Sequence, residues 1–289
     1  DSIQTVAAPE VSSVPGSVTQ VRSCAQALLA VAKQRSLATV LVGHVTKEGT
    51  LAGPRTLEHL VDTVLSFEGD CHQRLRFLRA SKHRFGPTGE PGVLEMTAKG
   101  LEPVDDPSQL FLADRQPGAS GSAVVPVVDG HRPLLVELQA LVVPSRAATP
   151  RRAAQGVETT RLSMLLAVLE RRCGIETSSL EAYVSVVGGI RVTEPGADLG
   201  VALAVASAVL DRPLNNDIAV CGEVGLAGEV RQVSQMERRL AEVARLGYGA
   251  VVVPASVKES TSRIELLRAS TLADAIGLCG LGLRVRSVA

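Results

Sequence analysis

The chain has 289 residues, of which 45% are hydrophobic and 21% charged, which is enough apolar sequence for about two folded domains. Basic and acidic residues number 30 each, so an overall basic charge is excluded and any contact with nucleic acid must come from local patches. No apolar run reaches the length of a membrane span and no signal peptide is present, so we expect no membrane partner.

The side chains available for the core favour α/β layers. Aromatic residues make up 2% of the chain and Trp is absent, so the core must be built from Val, Leu, Ile and Ala, as in buried parallel strands. The five cysteines never form CxxC pairs, which is typical of reduced cytoplasmic thiols rather than of disulfides or a zinc site. The first residue is Asp1 rather than Met, so we expect a longer protein.

Residues 1–104 are predicted to form one domain. Helical spacing of apolar residues over 18–34 follows the start signal Pro15-Gly16-Ser17. The apolar run 37–43 is typical of a buried parallel strand, and further strands are predicted over 62–67, 75–78 and 93–96, separated by Gly and Pro turns. This order predicts the C-terminal half of an α/β sheet domain.

Residues 105–122 are predicted to be a linker, because they combine Asp-Asp-Pro, Gln-Pro-Gly and Gly-Ala-Ser-Gly-Ser. A second α/β domain is predicted over 123–289. It begins with strands 124–128 and 134–143, joined by the hairpin signal Asp129-Gly130. Helices 161–172, 197–210 and 235–246 then alternate with strands 182–187, 217–221 and 250–253.

Polar residues follow two of the predicted strands. His44 comes directly after the run 37–43, where open parallel sheets bind ligands, so it could sense a phosphate. Lys82 and Arg84 flank one residue in a turn and could stabilise phosphate charge, including charge on a neighbouring subunit. The alternatives are a solvated loop histidine and a solvated basic turn.

Four runs of residues carry a resemblance to known proteins: Val42-Gly43-His44-Val45-Thr46-Lys47-Glu48-Gly49, Ala52-Gly53-Pro54-Arg55, Phe67-Glu68-Gly69-Asp70 and Lys82-His83-Arg84-Phe85-Gly86. These runs are similar to the RadA (Sms) family of bacterial DNA repair ATPases, with His83 in place of the family's Asn. The resemblance implies a RecA-like ATPase that uses ATP and Mg²⁺ to drive branch migration in recombination. It also implies a homo-hexameric ring on single-stranded and branched DNA, with a RecA-type recombinase as partner.

The resemblance also implies roles for single residues. Asp1 would end a Walker B strand and help to hold Mg²⁺, with Gln4 near the attacking water and His44 as a nucleotide sensor. Lys82 and Arg84 would couple the nucleotide state to DNA.

DNA contact is implied for two loops, 6–17 and 45–56. Lys47 and Arg55 are the candidate phosphate contacts in the second loop. Neither GxxxxGK[ST] nor a CxxC zinc module occurs in the chain, so both are expected before Asp1. Zinc is therefore expected only there, and the chain alone is expected not to hydrolyse ATP.

The runs 187–190, 194–198 and 222–230 resemble the Lon peptidase domain, which uses a Ser nucleophile and a Lys base. The Ser position falls at Gly196 and the Lys position at Glu237, which the pattern Ser234-x-x-Glu237 assigns to a helix capping box. Residues 124–289 contain seventeen arginines but only one lysine, Lys258, and arginine stays protonated. The domain is therefore predicted to be Lon-like and inactive as a peptidase.

Arg151 and Arg152 are candidate DNA phosphate contacts in this second domain, although they could equally balance surface charge. Two alternatives to the ATPase remain. One is a non-enzymatic, ring-forming, DNA-binding scaffold, and the other is a Lon-like serine peptidase, which the missing Ser and Lys disfavour.

Overall fold

The computed structural model describes residues 2–44, 57–69 and 75–282. The chain divides into two compact units. Unit 1 comprises residues 1–68 and 78–90, and unit 2 comprises residues 69–77 and 91–289. The mixed α/β class predicted from the sequence is confirmed.

Unit 1 contains a 3₁₀ turn, Ile3–Thr5, and the helix α1, Val18–Arg35, which confirms the helix predicted over 18–34. Ser17 caps α1, since its side chain accepts a hydrogen bond from the backbone N of Gln20. The helix ends where Ser36 turns to a positive φ of 51°.

The strand predicted over residues 37–43 is wrong. Residues 37–44 have no regular secondary structure, and Val40 is 88% exposed. A buried parallel strand needs neighbours on both sides to satisfy its backbone and cover its side chains. The described residues supply one such bond, from the backbone N of Ile3 to the O of Val42 at 2.8 Å.

Four strands form a small sheet in chain order: β1 (Thr63–Glu68), β2 (Leu75–His83), β3 (Gly92–Thr97) and β4 (Gly100–Pro103). The first three confirm the strands predicted from residues 62, 75 and 93 onward. β3 and β4 are antiparallel.

Unit 2 is built on a seven-stranded mixed sheet in the order β13-β12-β9-β5-β6-β8-β7. Its central hairpin joins β5 (Ser122–Asp129) to β6 (Arg132–Pro144), as predicted, with Gly130 at a φ of 63°. The other strands are β7 (Arg152–Gln155), β8 (Leu180–Val186), β9 (Ile218–Val220), β12 (Ala250–Pro254) and β13 (Glu265–Ala269), and the separate two-stranded pair is β10 (Glu223–Val224) and β11 (Val230–Arg231).

Helices cover both faces of this sheet. One face carries the main core, with α3 (Thr159–Cys173), α4 (Asp198–Leu210) and α6 (Leu272–Leu278). The other face is covered in part by α5 (Met236–Arg245), whose Leu240 and Val243 pack with Val251 of β12. These elements form the α/β core of unit 2, and no helix of the described residues covers the outer face of β6, β8 and β7.

The predicted linker, residues 105–122, lies within unit 2. It contains the short helix α2 (Pro107–Leu112), which begins at the N-cap Asp106 and buries Phe111 to 3% exposure. Ser108 fixes α2 by donating from Oγ to Glu242 Oε1 at 2.6 Å. The Asp-Asp-Pro sequence that suggested a turn is here the start of a helix, because Asp caps and Pro fits the first turn.

Among the described residues, no helix is long and apolar enough to cross a membrane.

Candidate functional site

Lys82 lies near the end of β2 and is anchored within unit 1. Its Nζ donates to the backbone O of Glu58 at 2.6 Å and of Val61 at 2.8 Å. These carbonyls end a helical turn, where the backbone is partly negative and attracts a cation. The sequence predicts a Lys82 that faces a phosphate, whereas in the structure Lys82 is half-buried and its ammonium holds two backbone carbonyls.

Arg84, by contrast, remains accessible. Its Nη1 lies 2.9 Å from Asp62 Oδ1, and its side chain is 59% exposed. Its backbone N also donates to the O of Asp62 at 3.0 Å, which fixes the start of the turn against the residue that precedes β1. An exposed ion pair of this kind is weak, so the guanidinium can exchange Asp62 for a phosphate.

The rest of the motif shapes the turn. His83 Nδ1 lies 2.9 Å from Thr63 Oγ1, and the His83 ring meets the edge of Phe85. A Cβ at Gly86 would lie 2.9 Å from His83 Cδ2, so a side chain there would displace the imidazole. Phe85 is 78% exposed. The turn therefore presents Arg84 and Phe85 outward and holds Lys82 and His83 inward.

Gln4 and His44 are brought together in unit 1. Gln4 Nε2 donates to the backbone O of His44 at 3.3 Å, and the Gln4 amide oxygen accepts from the Ser2 hydroxyl. Asp1, Lys47 and Arg55, the other predicted nucleotide and DNA contacts of this part of the chain, lie outside the described residues.

In unit 2, Gly196 faces an ion pair. A Cβ at Gly196 would lie 3.0 Å from Arg239 Nη1 and 3.3 Å from Glu194 Oε2. Arg239 is fully buried, and its guanidinium forms a two-bond pair with the Glu194 carboxylate, one bond being 2.7 Å from Nη1 to Oε1. Nη1 also donates to the O of Pro126 at 2.7 Å and Nε to the O of Ser234 at 3.0 Å.

This arrangement places an arginine and a carboxylate paired with it beside Gly196, where the Lon resemblance would put a serine and a lysine. Arginine stays protonated, and its donors are already used. Cys221 lies beside Arg239, but burial raises the pKa of its thiol to about 12, so it stays protonated at neutral pH. The place where the Lon resemblance puts a Ser and a Lys is therefore filled by structural groups.

The capping box predicted at Glu237 is wrong. The N-cap of α5 is Gln235 in a left-handed conformation, with no side-chain capping bond. Glu237 instead accepts from Ser260 Oγ at 3.0 Å and from the backbone N of Thr261 at 2.9 Å. The Thr261 hydroxyl also donates to Glu237 Oε1. This bond contributes most, and together with the other two it holds the pKa of Glu237 below its ordinary value. Its role is to hold the 260–261 loop, and the side chain that faces Gly196 is Arg239.

Arg151 and Arg152 point in different directions. Arg152 is the first residue of β7 and Arg151 directly precedes it, and successive side chains of an extended chain alternate in direction. Arg152 pairs with the buried Ala182 and donates from Nη2 to the O of Thr177 at 3.3 Å. Arg151 is exposed. Of the two predicted DNA contacts, only Arg151 therefore has an outward guanidinium.

Two ion pairs of unit 2, each with one buried side chain, were not predicted from the sequence. Arg239 lies on the apolar side of α5 with Met236, Leu240 and Val243, and that position could have revealed it as a buried cation. Asp198 begins α4, is buried, and pairs with Arg161 Nε at 2.8 Å. Burial raises the pKa of Asp198, while Arg161 opposes the rise. No local pattern marks that pair.

Comparison with known proteins finds relatives that match most of the chain. A family model described as subunit ChlI of Mg-chelatase matches residues 168–257, in unit 2. The chain is 48% identical over 279 residues to DNA repair protein RadA of Halalkalibacterium halodurans and 46% identical over 279 residues to that of Bacillus subtilis. It is 49% identical over 254 residues to DNA repair protein RadA of Streptococcus pneumoniae.

These matches cover 96%, 96% and 88% of the chain. They cover 61%, 61% and 60% of the relatives, so the chain spans about three fifths of their length. Over the length that it spans, the chain therefore belongs to the family of DNA repair proteins named RadA.

Proposed function

We propose that the full-length protein that contains this chain is a DNA-dependent ATPase that drives branch migration of recombination intermediates in DNA repair. The observation that supports this most strongly is the identity of 46–49% with proteins named DNA repair protein RadA, sustained over nearly the whole chain. Its partners are single-stranded and branched DNA, further copies of itself in a hexameric ring, and a RecA-type recombinase.

ATP and Mg²⁺ are the proposed cofactors. Gln4 and His44, joined by a hydrogen bond in unit 1, are the described residues proposed to lie near the nucleotide. Asp1 is proposed to assist the metal. A histidine or glutamine at a nucleotide site senses the γ-phosphate or orients water through hydrogen bonds that change on hydrolysis.

Arg84 is proposed to couple the nucleotide to the motor. Its exposure and its weak pair with Asp62 support a guanidinium that reaches a phosphate on a neighbouring subunit or on DNA. Lys82 is proposed to support Arg84 by holding the turn rather than by touching phosphate, since its ammonium already donates to two carbonyls.

DNA contact is proposed for Lys47 and Arg55 in unit 1 and for Arg151 in unit 2, each through a phosphate oxygen. Arg152 is a weaker candidate because it donates to the Thr177 carbonyl. The 289-residue chain by itself, which has no GxxxxGK[ST] loop, is expected to bind DNA without hydrolysing ATP, as a ring-forming scaffold would.

Branch migration by the full-length protein tests this proposal. Arg84→Ala should lower the rate of branch migration at least tenfold while leaving folding intact, since it removes a cation from developing charge. Arg79→Ala is the matched control, because Arg79 also forms a partly exposed pair from β2 to β1, with Glu68 at 3.1 Å. Wild-type migration by the Arg84 variant would remove the proposed role.

A further inference from the structure

The outer face of β6, β8 and β7 in unit 2 carries both apolar and polar side chains, and no described helix covers it. Strand register places Leu141, Tyr183 and Ala153 side by side across the three strands. The next row holds Gln139, Ser185 and Gln155. The opposite face of the same strands is buried core, with Ala182 and Val184 below 5% exposure.

This face is concave. Together with residues 119–122 it encloses about 460 Å³, a volume in the range of small-ligand sites. The concavity exists because the residues at its rim are small. Gly121 has a φ of +84°, and a Cβ there would lie 2.2 Å from the backbone O of Ala140. No larger residue fits at that point, so the chain bends closely over β6.

Tyr183 provides a flat apolar surface at the centre of this face. Its hydroxyl donates to Glu181 Oε2 at 2.6 Å, two residues earlier on the same side of the strand, so the ring lies along β8. Leu141, its cross-strand neighbour, is 63% exposed. Tyr183 is partly exposed, so its ring and Leu141 together offer an accessible apolar surface.

The charge at the edge of this face is suited to an anion. Arg151 directly precedes β7, and its backbone O accepts from the N of Ala182 at 3.0 Å. The positive charge of Arg151 opposes the rise in the Tyr183 pKa that the Glu181 hydrogen bond causes. Arg146, in the same loop, is also exposed. The one carboxylate of this edge, Glu181, already accepts from Ser145 Oγ at 3.2 Å and from Tyr183.

We propose that this open face binds a single-stranded polynucleotide, with a base stacked on Tyr183 and phosphates at Arg151 and Arg146. Stacking on an aromatic ring tolerates any base, and the amides of Gln139 and Gln155 can donate to and accept from base edges. A strand of polynucleotide is the ligand class that combines planar apolar rings, polar edges and regularly spaced negative charge. This inference rests on the proposed DNA-dependent function, because that function brings single-stranded DNA to the protein.

Photocrosslinking on the full-length protein tests the site directly. The probe is a single-stranded oligonucleotide with one 5-iodouracil, and crosslinked peptides are mapped by mass spectrometry. We expect a crosslink at Tyr183. Tyr183→Leu should abolish it and weaken binding at low salt about fivefold or more, the effect of losing one stacked base. Tyr183→Phe is the matched control: it keeps the ring and removes only the hydroxyl bond, so it should bind within about twofold of wild type.

Charge is tested separately. Arg151→Ala should make the logarithmic salt dependence of single-strand binding shallower by about 0.7, the loss of one phosphate contact. Crosslinks that map only elsewhere, with wild-type affinity in Tyr183→Leu, overturn the proposal. A change in oligomeric state in Tyr183→Leu also overturns it, because the face then joins two copies of the chain. DNA-stimulated ATP hydrolysis by the wild type is scored independently, so the failure of this site and the failure of the proposed function give different results.

Discussion

Single residues decide what the surroundings of Gly196 in unit 2 can do. The sequence predicts no peptidase at Gly196, because residues 124–289 contain one lysine. It could not show that Arg239 and Glu194 occupy the space, since their contact joins residues 45 positions apart. The pair is shielded from water, with Arg239 fully buried and Glu194 21% exposed. It therefore stabilises the unit rather than serving chemistry.

Arg239→Met should destabilise the chain by about 3 kcal/mol, since it leaves the half-buried Glu194 carboxylate without its fully buried charge partner. Urea unfolding at neutral pH measures the difference. Arg231→Met is the matched control, because Arg231 is 58% exposed and pairs with Glu229 at the surface. That control should change stability by less than about 1 kcal/mol. Equal effects of the two substitutions would contradict a structural role for the buried pair.

Lys82 and Arg84, the two cations of the Lys82–Gly86 turn, should contribute unequally to the free energy of unfolding. Lys82→Ala removes two charge-assisted bonds to the carbonyls of Glu58 and Val61, at a cost of about 1–2 kcal/mol. Arg84→Ala removes an exposed pair and should cost less than about 0.5 kcal/mol. Thermal unfolding of the 289-residue chain compares them. If both variants unfold like wild type, Lys82 is not an anchor.

At the scale of elements, local signals predicted most of unit 2. The Asp129-Gly130 hairpin, the helices near 161, 197 and 235 and the strands near 182, 218 and 250 all form close to their expected bounds. Prediction failed where tertiary partners decide the outcome. Residues 37–43 have strand composition but no neighbouring strand among the described residues. Ser234-x-x-Glu237 has a capping pattern, but Glu237 accepts hydrogen bonds from the 260–261 loop instead. The linker prediction failed at α2 because its docking contacts are distant in sequence.

The docking of α2 should depend on pH through Asp106. A hydrogen bond from Arg245 holds the pKa of Asp106 below its ordinary value. A lowered folded-state pKa adds stability above the ordinary value of an aspartate, and this contribution is lost as pH falls through the lowered value. The pair is partly exposed, so it should contribute about 1 kcal/mol or less at neutral pH.

Asp106→Asn isolates this charge, because asparagine still caps α2. Urea unfolding at pH 7, 5, 4 and 3 should show a stability difference from wild type at the two higher values that shrinks toward pH 3. Asp114→Asn, an exposed position just after α2, should show no such trend. A difference that grows toward acid would reverse the assigned direction of the pKa shift.

At the scale of the whole molecule, the resemblance in the sequence predicted the family, and the relatives confirm it over 96% of the chain. Assembly remains a proposal, because a ring requires contacts between copies. Light scattering on the 289-residue chain at high concentration should give a mass larger than a dimer if the contacts of a closed ring lie within the part that this chain spans. A strict monomer would count against a ring held by these residues.

DNA-driven ATP turnover by the full-length protein is the proposed activity. Its most direct test is the steady-state rate of ATP hydrolysis with Mg²⁺, measured with and without single-stranded DNA. We predict that DNA raises the rate several-fold and that Arg84→Ala abolishes the increase. An equal rate with and without DNA, in protein that binds the same DNA, would contradict the claim.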